Sequence, residues 1–235
     1  MSVRQCLLFM AMVLGGCGAA RVCADVVPIS FSGADVPRIS FDGARVYTSI
    51  LYDSSFADIK GSHCSFAGGV IDHSTISSLR LEYDSLDRLS LRSTDIRYPS
   101  LFGGSVNSAR LDGVRVAGAD LYHSDLQDVS CRYGGISGLQ LRDCSGRSWE
   151  LQNCRLDSLR VETLTARNSR WDRVDLGNSS FRSSDLSSGT FASCDFGGST
   201  LKECDLSNVH ITGSNIAGLW INGVNIEKLL REAKR

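Results

Sequence analysis

The sequence predicts an all-β solenoid, a rod of stacked coils, on three observations. Every fifth residue from Val26 to Ile226 is apolar without an insertion or deletion, except Gly61 and Gly146. With apolar residues at 42% of the chain, chance would leave more than half of those positions polar. The residue two before each of them is mostly small, as at Ala34, Ala44, Ser54, Ala109, Ser124 and Ser184. The composition is turn-rich, with 23 Gly and abundant Ser and Asp, but only 3 Pro. A period of five fits neither the 3.6 of a helix nor the two of a strand. It fits a coil that buries its apolar side chain only when the next coil stacks on it, with backbone groups paired between coils.

The length of 235 residues suffices for one or two domains with a sizeable core. A net charge of −1 with 22% charged residues excludes a disordered tail, a histone-like basic binder and a strongly acidic decoy.

In chain order, the first element is a leader over 1–24. Arg4 supplies a positive charge, Cys6 to Leu14 is an unbroken apolar run, and small residues follow. The run is shorter than the roughly 20 residues needed to span a bilayer and fits a secretory signal. Leu14-Gly15-Gly16-Cys17 resembles a bacterial lipobox, which would make Cys17 a lipidated N-terminus. Gly18-Ala19-Ala20 and Val22-Cys23-Ala24 instead suit an ordinary signal peptidase, with cleavage by Ala24. The position of the lipobox at the end of the apolar run favours Cys17 slightly. The expected location is the bacterial envelope, as a membrane-anchored lipoprotein or a soluble periplasmic protein.

The body, 25–226, repeats a small residue, an Asp or Asn, and a large apolar residue. Examples are Ala119-Asp120-Leu121, Ser184-Asp185-Leu186, Cys194-Asp195-Phe196, Cys204-Asp205-Leu206 and Ser214-Asn215-Ile216. At these residues the chain resembles the pentapeptide-repeat family, over 26–226. The resemblance implies a right-handed quadrilateral β-helix of four pentapeptides per coil, about ten coils in all. Coils spaced by about 4.8 Å would make a rod roughly 48 Å long. It also implies columns of residues twenty apart. Well-known members of the family are DNA mimics that bind type II topoisomerase through dense acidic faces. That is the alternative function here, should the leader not be a true signal.

Two irregularities stand out in the core. Gly146 and Ala166 share a column and leave volume unfilled, while Trp149 and Trp171 nearby are oversized. Small-for-large compensation is the expectation, with a small ligand-binding cavity as the alternative. The body cysteines Cys64, Cys144, Cys154, Cys194 and Cys204 take the small position, and Cys131 takes the large one. They are expected to be buried free thiols. No two lie on adjacent coils of one column, which leaves Cys144/Cys154 and Cys194/Cys204, on opposite walls of a coil, as the pairs for a bridge.

The last element, 226–235, is a predicted amphipathic helix with Ile226, Leu229, Leu230 and Ala233 on one face, Asn225 as N-cap, and Glu227 in the first turn. It is expected to cap the last coil. In the resembled family such a helix can also mediate homodimers.

No phosphate loop, dinucleotide fingerprint or nucleophile elbow is present. His63, His73, His123 and His210 form no metal-spaced cluster with Cys. Asp72-His73-Ser74 has the residue types of a triad, but neighbours on a strand point to different sides. No catalytic residue, metal site or cofactor is expected. Asp175 stacks with Asp195 and Asp185 with Asp205, yet Arg115, Arg155 and Arg45 share those columns, so no acidic field dominates and nucleic acid is not the expected partner. Tyr83, Arg97, Tyr98, Phe102, Tyr122 and His123 gather toward one side and form the candidate contact surface for a protein or glycan. The expected role is a non-enzymatic exported rod, a scaffold for protein interaction.

Overall fold

The computed structural model describes residues 20–22, 30–47 and 50–233. Cys17 and the leader outside Ala20–Val22 lie beyond the described residues, as do Cys6 and Cys23. The chain forms a four-sided parallel β-helix. Each coil takes twenty residues, so that Leu81 pairs with Leu101, Leu101 with Leu121, Leu121 with Leu141 and Leu141 with Val161. One face stacks ten strands from Ser30–Ser32 to His210–Thr212, which encloses nine full turns between the first and the last. A second face stacks seven strands, from Asp35–Val36 to Arg155–Asp157. The other two faces belong to one continuous sheet, because Gln140–Arg147 and Arg160–Arg167 run unbroken round a corner.

The five-residue rule has a conformational cause. The apolar residue and the small residue point inward, and the chain turns at the residue two after the apolar one. That corner residue takes left-handed backbone, as at His63 (φ 54), Tyr83 (φ 56), Asn153 (φ 52) and Gly103 (φ 62). Polar residues and glycine dominate there because left-handed backbone disfavours most side chains by about 1–2 kcal/mol.

Beyond Leu164 the corners change. Asp175 Oδ1 accepts the Gly177 N–H, Asp185 Oδ1 the Ser187 N–H, and Asp195 Oδ1 the Gly197 N–H. Behind each carboxylate the carbonyl of the apolar residue accepts a backbone N–H three residues on, Ser179 to Leu176, Gly189 to Leu186 and Ser199 to Phe196. These closed turns shorten two faces to single bridges such as Asp175 to Asp195 and Asp185 to Asp205.

The core follows the same division. Trp171, Phe191 and Phe196 pack ring to ring at 5.4 Å in the later coils. Earlier coils mix Leu, Ile and Val with Phe41, Phe56 and Phe66, and leave apolar voids between them. One of about 110 Å³ lies between Ile39 and Leu89, and one of about 230 Å³ lies further along, between Leu79 and Trp171. Gly146 itself is filled, as compensation predicts. A Cβ there would fall 2.6 Å from Trp149 Nε1, and that nitrogen donates to the Leu126 carbonyl at 2.7 Å. Gly61 has an unforeseen counterpart in Asp84, whose Oδ2 would lie 2.3 Å from a Cβ on Gly61.

The helix spans Ile226–Ala233, and Asn225 Oδ1 accepts the Lys228 N–H as its N-cap. It does not seal the last coil. None of its residues is buried, and Leu229 and Leu230 are exposed. Its first turn meets the last coil, where Ile226 packs against the core and donates its N–H to the Leu219 carbonyl and Glu227 Oε2 accepts the Gly218 N–H, while the apolar face beyond it turns to solvent. Ala20–Val22 pairs in parallel with Ile39–Phe41, so part of the segment assigned to the leader joins the sheet. Its offset of nineteen, Ala20 to Ile39, places it outside the five-residue register.

Candidate functional site

The face bearing Pro99–Phe102 and Asp120–Tyr122 carries an aromatic ridge at one corner. Strand pairing places Phe102 beside Tyr122, and their rings stack at 5.6 Å. The left-handed corner at Tyr83 sends its ring over Gly103, where a Cβ would lie 2.7 Å from it, and edge-on to Phe102 at 5.3 Å. Glycine is required at 103 both by φ and by that ring. His123, also at a corner, sits 3.9 Å from Tyr122 and 6.1 Å from Phe102, centroid to centroid.

Four of the six expected residues, Tyr83, Phe102, Tyr122 and His123, therefore form one cluster. His63 extends it by stacking on Tyr83 at 5.3 Å. Its place was readable, since 63, 83 and 123 fall in one corner column of the twenty-residue coil. Tyr98 stands apart, at the opposite corner of the same face, 71% exposed with its ring over Gly118. Arg97 belongs to the next face. Twenty-residue stacking brings residues of one column together but separates corners of one coil, so these two do not join the ridge.

Shallow depressions flank the ridge. One of about 580 Å³ runs beside Phe102 and Tyr122, bounded by Asp120, Arg142 and Glu162. The other, about 400 Å³, lies between Tyr83, His123 and Asp125. This is a flat, partly apolar wall with charged rims, the composition of a contact surface.

No group of three or more His, Cys, Asp or Glu that could hold a metal occurs among the described residues. Asp72 and His73 do meet, at 2.8 Å, because the left-handed backbone of His73 (φ 48) turns it back, which strand alternation alone had excluded. Ser74 does not join them. Its buried hydroxyl donates to the Asp72 carbonyl and accepts the Ser54 N–H.

The acidic columns are engaged as well. Asp175 lies 3.8 Å from Arg155, and Asp185 pairs with Arg167. Partial burial pushes the Asp185 carboxyl up, but bonds from Ser187 and Arg167 outweigh it and hold the group below its ordinary value. These carboxylates close turns rather than present a uniform charge. Among the described residues, no helix is long and apolar enough to cross a membrane.

A family model for pentapeptide repeats, in eight copies, matches residues 190–227. No curated protein matches the chain significantly. Among solved structures, the chain is similar to HetL, a pentapeptide repeat protein involved in heterocyst differentiation regulation in Nostoc sp. strain PCC 7120. Identity is 17%, coverage 94% of this chain and 98% of that one, and TM-score 0.47. It is also similar to full-length QnrB1, a plasmid-mediated fluoroquinolone resistance protein, at 15% identity, coverage of 92% and 99%, and TM-score 0.30. The A-module of the Azotobacter vinelandii mannuronan C-5 epimerase AlgE6 follows at 7% identity, coverage of 87% and 78%, and TM-score 0.28.

Proposed function

We propose a non-catalytic role as an exported envelope rod that presents a contact surface to a protein partner, supported by the pentapeptide-repeat match over 190–227 and the five-residue register that continues through the solenoid. The observation that carries the contact surface is the continuous ridge His63–Tyr83–Phe102–Tyr122–His123 on a flat face. Export rests on the order of charge, apolar run and small residues in the leader. The Ala20–Val22 strand favours processing at Cys17, because cleavage by Ala24 would remove it from the sheet.

A homodimer through the C-terminal end is part of this reading. Ile211, Trp220, Val224, Leu229 and Leu230 are all exposed there, and uncovered apolar surface of this kind marks an association site.

The first experiment is mass spectrometry of the mature N-terminus from the native host. An acylated Cys17 supports the lipoprotein form, and an N-terminus between Arg21 and Asp25 supports the soluble one. An intact Met1 with cytoplasmic recovery overturns the envelope role and directs the rod to a supercoiling-inhibition assay. For the ridge, Phe102→Ser with Tyr122→Ser abolishes partner cross-linking while the fold is kept; unchanged cross-linking removes the ridge from the reading.

A further inference from the structure

The repeat geometry contains a second spacing rule besides twenty. A polar side chain at the small position reaches the carbonyl of the inward residue one coil back, twenty-three residues earlier. Ser124 Oγ reaches Leu101 O at 3.2 Å, Cys144 Sγ Leu121 O at 3.4 Å, and Cys194 Sγ Trp171 O at 3.4 Å. A cysteine at the small position therefore always faces the inward residue of the preceding coil. For Cys64, Cys144, Cys194 and Cys204 that residue is Phe41, Leu121, Trp171 or Phe181. For Cys154 it is Cys131.

The two sulfurs lie 3.3 Å apart, with Cys131 1% and Cys154 3% exposed. Gly134 makes the room: a Cβ there would fall 2.6 Å from Cys131 Sγ and 3.9 Å from Cys154 Sγ. The pairs that same-coil geometry suggested, Cys144/Cys154 and Cys194/Cys204, are not the ones brought together. Closing the observed gap to a bonded distance takes about 1.3 Å of movement.

We propose that Cys131 and Cys154 are a modification site, a dithiol that a small peroxide oxidises to a disulfide joining consecutive coils. The burial of both sulfurs selects a small oxidant such as hydrogen peroxide over a bulky oxidised thiol. The Cys154 thiolate attacks one peroxide oxygen; an S–O bond forms, the O–O bond breaks, and the other oxygen leaves as water after taking up a proton. The Cys131 sulfur then attacks the sulfenic sulfur, forming the S–S bond. The hydroxide that leaves takes the Cys131 proton and departs as a second water. Two thiols and one peroxide give one disulfide and two waters, with two electrons passing from sulfur to oxygen.

The pair is also set apart electrostatically. Its mutual hydrogen bond brings Cys154 down to about 7 and pushes Cys131 up, whereas burial pushes Cys64, Cys144, Cys194 and Cys204 up. Thiolate is the reactive form, so Cys154 is the sulfur that reacts first.

The test uses the full chain, reduced, then treated with equimolar hydrogen peroxide, alkylated with iodoacetamide in denaturant and mapped by peptide mass. The expected result is a linked pair of peptides carrying Cys131 and Cys154, lighter than the dithiol by two hydrogens, with Cys64, Cys144, Cys194 and Cys204 alkylated. Oxidation should also raise the urea midpoint of the wild type and leave that of Cys154→Ser unchanged. Serine is the residue at many small positions, so this variant should fold; Cys131→Val, which keeps the inward position apolar, serves as the second. Alkylation of both cysteines after peroxide treatment, a bridge to another cysteine, or a midpoint shift that survives in both variants would overturn the proposal.

Discussion

The early coils, from Ile39 to Leu111, and the late coils, from Val174 to Leu219, obey the same five-residue rule but are held together differently. In the late coils a carboxylate or amide locks every second corner through the N–H two residues on, as Asp175, Asp185, Asp195, Asp205 and Asn215 all do. Their core is aromatic. Left-handed corner residues serve both regions, as at His63, His73 and Tyr83 early and at Asn178 and Ser183 late, and the early core carries voids. The family model matches 190–227, from within the late coils to the start of the C-terminal helix. The difference teaches that apolar periodicity fixes the coil, while an Asp or Asn before the apolar residue tightens the turn where it reaches the N–H two residues on, as Asp175 does and Asp95, paired with Arg115, does not. The aromatic ridge starts in the early coils at His63 and ends just beyond them at His123.

The largest effect that would sharpen this comparison is a core truncation in each region. Phe196→Ala removes a ring packed against Phe191 in a close-packed layer and should cost about 3–5 kcal/mol. Phe41→Ala enlarges a void that already exists beside it and should cost distinctly less. Urea midpoints decide. Equal losses would mean that the early core is as tightly packed as the late one.

Asp84 sharpens the comparison from the early side. It is 1% exposed at a small position, its Oδ1 accepts the Cys64 N–H, and its Oδ2 is buried without a hydrogen-bond partner. Burial pushes its carboxyl above the ordinary 3.8. The folded state thus holds the proton more tightly than the unfolded one. The stability this contributes is full below pH 3.8 and is lost as pH rises through the raised folded value. Asp84→Asn keeps the Oδ1 acceptor and removes the buried charge. It should raise the urea midpoint at pH 7.5 and leave it nearly unchanged at pH 3.5. Equal gains at both pH values would show that the charge is not the cause. Gly61→Ala should destabilise by about 1–3 kcal/mol, since its Cβ meets both Asp84 and Leu81, and adding Asp84→Ser should recover the part of the loss that comes from Asp84.

Most of the architecture was legible because one number, five, governs every inward side chain. Trp149 filling Gly146 was legible too, because the two lie three residues apart. Asp84 filling Gly61 was not, nor was Cys131 against Cys154. Both partners are twenty-three apart, one coil plus a corner, and a search along columns of twenty passes over them. The ridge was legible to the extent that its members share columns: Phe102 with Tyr122, and Tyr83 with His63 and His123. Tyr98 and Arg97 were grouped with it by nearness in sequence, which a square coil does not preserve across corners. The exposed C-terminal helix was misread because amphipathic spacing reveals an apolar face but not what covers it.

Corner locking gives a middle-sized test. Asp195→Ala removes the acceptor for the Gly197 N–H and for Asn215 Nδ2, and should cost about 1 kcal/mol. Asp95→Ala, in an early coil, removes only an exposed ion pair with Arg115 at 3.6 Å and should change stability by well under about 1 kcal/mol. Similar losses at the two sites would break the distinction between locked and unlocked corners.

The smallest effect probes the unlocked corner itself. Thr163 is β-branched yet holds φ 56, where Gly103, Gly113 and Gly118 serve other coils. A branched Cβ is the poorest fit to left-handed backbone, whereas asparagine tolerates it. The corner is also held on both sides, because Glu162 pairs with Arg142 and Leu164 with Cys144 in the neighbouring coil. Thr163→Asn should therefore stabilise by about 0.5–1 kcal/mol, within the range that left-handed strain allows. The same exchange at Ser183, unbranched at φ 49, should gain less. If both gain equally, the corner tolerates branching, and strain at position 163 is not what separates it from its neighbours.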